Sequence, residues 1–231
     1  MKTDPSKPVL EFRSVGFAAE GAYETDIVEA SFRIQPGELL LLYVDTTQDR
    51  TPVADLAQGL IAPGTGEVLF QGEDWMKVGP DDSSTLRSRI GRVFESGGWV
   101  SNLDLDENVT LAQRYHYDRP DEEVLEEALR IAREVGLDDI PKARPALVNR
   151  QILRRAQWVR ALIGTPALLI LDHPCRELSR SEAGRLARSL EQRRAGGLAA
   201  LWITQDEGEE SALGLKPTLK LRLQDSKMLP A

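Results

Sequence analysis

The apolar residues of this chain fall into short blocks set apart by turn residues. Residues 9–12 and 27–34 show partial alternation of apolar and polar positions, which predicts strands. Residues 35–38, Gln-Pro-Gly-Glu, read as a turn leading into Leu39, Leu40, Leu41 and Leu42, a strand buried on both faces. A helical stretch ends at residues 55–60, and Pro63-Gly64-Thr65-Gly66 forms a second turn. Residues 67–70 then continue through 71–74 as a short hairpin, and residues 90–94 form another buried strand. From 104 to 163 the pattern is helical. Val124, Leu125, Ala128, Leu129, Ile131, Ala132 and Val135 make one stripe, with acidic residues at its start and Gly136 at its end. A second amphipathic helix covers 151–163. Residues 167–171 and 198–204 predict short apolar strands around a helix at 181–194, and 216–223 alternates as an edge-type strand. The expected fold is α/β over residues 1–231 as one domain. It has a mainly parallel core sheet, an N-terminal antiparallel β part and a helical subdomain inserted at about 96–163.

Composition narrows the class. The chain has 231 residues, 41% hydrophobic and 29% charged, ordinary values for a water-soluble domain. No apolar run approaches the ~20 residues of a membrane span, and residues 1–5 carry no apolar leader core. A net charge of −8 argues against nucleic acid, whose phosphates require a basic face. Cys175 is the single cysteine, so an internal disulfide is excluded and a reducing compartment fits. His116 and His173 are too few for a histidine-rich metal site.

The candidate chemistry centres on residues 44–51, Val-Asp-Thr-Thr-Gln-Asp-Arg-Thr, between the leucine strand and the following helix. A P-loop protein carries G-x-x-x-x-G-K-[ST] in such a slot. The neighbouring segments are similar to the ATP-binding subunit of ABC transporters. Residues 38–42, 56–60 and 66–72 resemble its first nucleotide-binding unit. Residues 90–94 with Asn102, Leu103 and Glu107-Asn108-Val109 resemble its Q-loop region. Residues 159–162 with 168–172 resemble its signature helix running into Walker B, and Trp202-Ile203-Thr204 resembles the strand before its switch histidine. The similarity spans roughly 9–223 and implies a P-loop NTPase-like ABC ATPase fold.

The motifs themselves depart from that pattern. Both loop glycines are replaced, by Val44 and Asp49, and the lysine by Arg50; only the hydroxyl remains, as Thr51. Glycines let a loop fold its N–H groups around phosphate, and valine adopts such backbone least readily. Asp45 and Asp49 place carboxylates where a polyanion would sit, each like-charge pair costing about 3 kcal/mol at ~5 Å and an effective dielectric of ~20. Thr47 completes the vestigial loop. By resemblance, the Q-loop glutamine is Glu95, and the signature falls on residues 148–152, with Asn149, Arg150 and Gln151 at its centre. Walker B keeps Asp172, but the catalytic glutamate is His173, the D-loop aspartate is Ser179 and the switch histidine is Gln205. The position of the adenine-stacking aromatic falls near Ala19, flanked by Phe17 and Tyr23.

These departures imply no catalytic residues and no bound cofactor, with Glu95, His173 and Gln205 vestigial and Asp172 a weak metal candidate. The family pairs one subunit's P-loop with another's signature, and both halves are altered here. The sequence thus favours a non-catalytic scaffold or regulator. Its partners would be a membrane permease, an intact ABC ATPase subunit or both, with this chain cytoplasmic at the inner face of the membrane and no direct insertion. Trp99, Val100, Leu103 and Leu105 are candidates for lining a docking groove or, equally, for core. Two alternatives stand beside this reading. One is a divergent ATP- and Mg-binding subunit using Arg50, Thr51, Asp172 and His173; the other is an interaction module unrelated to transport.

Overall fold

A computed structural model describes residues 7–45 and 51–231. Strands β1 (Leu10–Phe17) and β2 (Ile27–Ile34) pair antiparallel, followed by β3 (Leu39–Tyr43) and the short helix α1 (Val53–Ala57). Strands β4 (Thr65–Phe70) and β5 (Glu73–Asp74) form the expected hairpin, giving a four-stranded antiparallel sheet in the order β2-β1-β4-β5. Burial along β2 nearly alternates, as expected of a strand with one face on the core. Gly66, at φ +77, leaves no room for a side chain: an added Cβ would lie 2.3 Å from the carbonyl oxygens of Arg13 and Ser14.

The second sheet collects β3 with β6 (Ile90–Val93), β7 (Leu168–Asp172), β8 (Ala199–Thr204), β9 (Leu219–Gln224) and β10 (Lys227–Pro230), in the order β10-β9-β3-β8-β7-β6. All neighbours are parallel except β9 and β10. Every residue of β3 and β8 is buried, because this sheet is covered on both faces. Leu40 and Leu42 enter one core with β1, β2 and α1, whereas Leu39, Leu41 and Tyr43 enter the other with the helices.

Helices α3 (Leu105–His116), α4 (Asp121–Glu134) and α5 (Arg150–Leu162) pack on one another. In α4 the predicted stripe buries Val124, Ala128, Ile131 and Ala132. Helix α6 (Arg180–Arg194) opens on a capping box in which Ser179 and Glu182 satisfy each other's backbone N–H groups.

Three elements escape the apolar pattern. Helix α2 (Pro80–Arg87) buries only Ser83 and Leu86, α7 (Glu209–Leu213) buries nothing, and β10 is largely exposed. The edge assignment of residues 216–223 is corrected: β9 lies between β3 and β10, and β10 is the edge. The alternation reports a half-covered face instead, with Leu221 and Leu223 buried while Lys220 and Arg222 face the carboxylates of Glu210 and Glu207.

Candidate functional site

Parallel strands place their carboxyl ends together, and open α/β sheets gather their chemistry at that edge. Here β3 runs into Val44 and Asp45, β6 into Phe94 and Glu95, β7 into His173, and β8 into Gln205. A cleft of about 290 Å³ at this edge is lined by Tyr23, Thr51, Asp55, Arg92, Phe94, Glu95, Ser96, Gly98, Asp172 and His173.

Arg92 dominates the cleft. It sits on β6, 8% exposed, and its guanidinium bonds Asp55 of α1 and donates to Gln58 Oε1 at 3.1 Å. Asp55 also accepts the Tyr23 hydroxyl at 2.6 Å. The Arg92 guanidinium lies 4.5 Å from the centre of the Phe94 ring. Arg92 Nε is buried without a partner among the described residues. Asp172 and His173 bond each other, Oδ1 to Nδ1, at 3.0 Å. His173 holds φ +45, a conformation uncommon outside glycine, and the buried Nε2 of its ring has no partner among the described residues.

The wall formed by residues 94–98 is fixed by α5. Arg154 donates to the carbonyls of Phe94 and Glu95, both at 2.6 Å. Gln157 accepts from the Phe94 N–H at 2.8 Å and donates to Gly97 O at 3.2 Å. Arg160 donates to Gly98 O and lies between the rings of Phe94 and Trp99, 5.3 and 4.4 Å from their centres. Burial pulls the Arg160 pKa down to about 10, with Arg92 adding to the effect, and burial also lowers that of Arg154. Arg176 pairs with Glu95. A second cavity, of about 410 Å³, is lined by Glu95, Ser96, Gly97 and Trp99 together with side chains from the first half of α5 and from residues 176–177.

The remaining candidates scatter. Val44 is 5% exposed and belongs to the core, so its side chain is no part of an anion cradle. Thr51 accepts from the Val53 N–H at 3.4 Å, and Gln205 donates to the Asp45 carbonyl at 3.5 Å. Thr47, Asp49 and Arg50 lie outside the described residues. Asn149 caps α5 by accepting from Ile152 N–H at 2.9 Å; Arg150 and Gln151 are exposed, and Arg150 faces Glu177 at 3.3 Å. Of the docking candidates, Leu105 takes the core alternative, at 0% exposed. Asn108 ties down the turn before it through the Val100 N–H and the carbonyls of Val100 and Leu103. Val100 is 42% exposed; Trp99 and Leu103 are partly buried.

A family model described as ABC transporter matches residues 27–176. This chain belongs to the ABC transporter family, as an ATP-binding domain. It is 29% identical over 177 residues to the methionine import ATP-binding protein MetN of Mesorhizobium japonicum. That alignment covers 76% of the chain and 48% of the relative, so the chain spans about half the relative's length. Solved structures share the fold. The ATP-binding cassette MJ0796, in a dimeric post-hydrolysis state bound to ADP and Pi and in a second dimeric structure, superimposes with a TM-score of 0.84 at 18% and 19% identity. Both superpositions cover 95% of this chain and 96% of MJ0796. An ATP-binding subunit of an ABC transporter gives a TM-score of 0.79 at 19% identity over 95% of this chain and 88% of that one.

Within this ABC fold, the structure brings Thr51, Glu95, Asp172 and His173 to one cleft, as the motif order implies, and puts Arg150 in the second cavity. Sequence reasoning passed over Arg92, Arg160 and Arg176. Arg92 left a legible signal: an arginine inside the apolar strand 90–94 must be paired where it is buried. Arg160 and Arg176 left none, since amphipathic helices and loops carry arginine routinely.

Proposed function

We propose that this chain is a non-catalytic ABC-type subunit, a scaffold or regulator within a membrane transport complex. The observation that carries the reading is the internal pairing of the side chains that line the cleft. Arg92 is bound to Asp55, Gln58 and the Phe94 ring, and Tyr23 is tied to Asp55 across the same space. A polyphosphate there would meet the carboxylates of Asp55, Glu95 and Asp172, while the cation beside them is already engaged. Among the described residues no cluster of three or more His, Cys, Asp or Glu is suited to a metal. The three carboxylates argue against ATP with Mg in this cleft, and under this reading no cofactor is expected.

The partners that suit the family are a membrane permease and an intact ABC ATPase subunit, which would hold this chain at the inner face of the membrane. No helix among the described residues is long and apolar enough to cross a membrane. The expected result is ATP turnover at the buffer background for the purified protein, together with its recovery in complex with an integral membrane protein. Turnover that disappears in a Thr51→Ala and Arg50→Ala variant would refute the reading. Recovery without any membrane protein would favour an interaction module unrelated to transport.

One observation favours a second reading, a divergent nucleotide site. The buried Nε2 of His173 has no partner among the described residues, its backbone is strained, and it shares the cleft with Thr51 and Asp172. Under that reading His173→Ala lowers a measurable turnover; under the proposed function there is none to lower.

A further inference from the structure

Opposite the candidate cleft, at the amino edge of the same sheet, lies a third cavity, of about 710 Å³. Its lining includes the residues that immediately precede three strands: Arg89 before β6, Ala167 before β7 and Leu198 before β8. The five residues of β7 put it about 15 Å from the cleft. Val9, Leu162 and Leu198 give it apolar walls, and no carboxylate lines it among the described residues. Two guanidiniums border it. Arg193 is paired with Glu134. Arg89 is partly buried and bonds Gln71 Oε1 through Nη1, but no carboxylate pairs with it among the described residues. Its Nε and Nη2 have no hydrogen-bond partner there and are not buried, so one edge of the guanidinium stays open. Helices α5 and α6 end beside the cavity, which would weaken a positive field. The final carbonyls of α6 are however taken by the N–H groups of Gly196, Gly197 and Leu198. The uncompensated charge of the cavity is therefore that of Arg89, in a chain whose net charge is −8.

We propose that this cavity binds a small organic monocarboxylate with an apolar body, its carboxylate on Arg89 and its chain against Val9, Leu162 and Leu198. Charge complementarity selects the ligand. One unpaired guanidinium balances one negative charge, and its open Nε–Nη2 edge offers a carboxylate two parallel N–H donors. A neighbouring cavity, also of about 710 Å³, shares Arg89 and Thr165 but is lined by Glu73 and Asp82. An anion is therefore directed to the side without carboxylates. Apolar walls with a few polar groups, in a cavity of this volume, are the usual make-up of a small-molecule site. A hydrated dianion such as phosphate would leave the walls unused and one charge unmatched. The proposal does not depend on the scaffold reading, because this cavity shares no lining residue with the cleft of Arg92 and His173.

The test uses the full chain with ¹³C-labelled leucine and valine methyls, the signals of Val9, Leu162 and Leu198 being assigned by single substitutions. The probes are octanoate, octanol, acetate and inorganic phosphate. The expected result is a saturable shift of those signals with octanoate, and affinities at least about tenfold weaker for each of the other three. Arg89→Gln should weaken octanoate binding about tenfold and leave that of octanol unchanged. Because that change also removes the bond to Gln71, a second variant leaves Arg89 in place. Thr165 borders the cavity and is exposed, so Thr165→Glu brings a competing carboxylate beside Arg89 and should weaken octanoate by a similar factor. Octanol binding as tightly as octanoate would make the cavity an apolar hollow and overturn the proposal. Acetate or phosphate doing so would make it a free-anion site, with the same consequence. Absence of any octanoate shift, or an affinity unchanged in either variant of intact urea midpoint, also overturns it.

Discussion

Arg92 is the residue on which the cleft depends. It lies in a strand otherwise built from Ile90, Gly91 and Val93, and its charge is tolerated because Asp55 meets it from α1. Arg92→Leu should destabilise the fold by about 2–3 kcal/mol in urea unfolding, less than for a fully buried pair because Asp55 is 23% exposed. Arg92→Leu/Asp55→Leu should recover most of that loss, since no orphaned carboxylate remains. If the double variant is less stable than either single one, the pair is not the unit described here. Glu134 gives a pH dependence. Its bond to Arg193, with Ser189 assisting against burial, holds the carboxyl below its ordinary value of 4.5. A depressed carboxyl pKa contributes stability above the unfolded value, and that contribution is lost as pH falls through the lower folded value. The urea midpoint should therefore drop below about pH 4.5, and Glu134→Gln should flatten that part of the profile. A variant with the same acid slope as the parent protein would contradict the assignment. The residue scale is also where the sequence was least readable. That Val44 turns into the core, or that Arg160 slots between Phe94 and Trp99, depends on strands and helices meeting from distant parts of the chain.

At the scale of elements, the apolar blocks announced β3, β7 and β8, and the stripe at 121–135 announced α4, because each buries a continuous or periodic face. Helix α2 and strand β10 bury too little to leave a pattern, and the alternation of β9 was mistaken for an edge. The position of the candidate motifs followed from element order, since parallel strands bring their carboxyl ends together; what those motifs touch did not. Helix α5 is central to the site because its cap and three of its side chains fix residues 94–98. Asn149→Ala should cost about 1 kcal/mol through loss of the cap. It should also speed amide hydrogen exchange at Phe94, whose N–H is held by Gln157. Unchanged exchange there would show that the wall does not depend on the first turn of α5.

Across the whole molecule, the ABC fold is kept, while the cleft at the carboxyl edge of its sheet is bordered by an arginine, Arg92, already paired with Asp55. The central claim is that nucleotide no longer binds there. A ligand that binds only the folded state must raise its stability, by about 2.7 kcal/mol at a hundredfold excess over its Kd. Thermal unfolding with and without millimolar ATP and Mg is the most direct test. An unchanged midpoint is the predicted result. A saturable rise in Tm that is lost in Thr51→Ala would contradict the account.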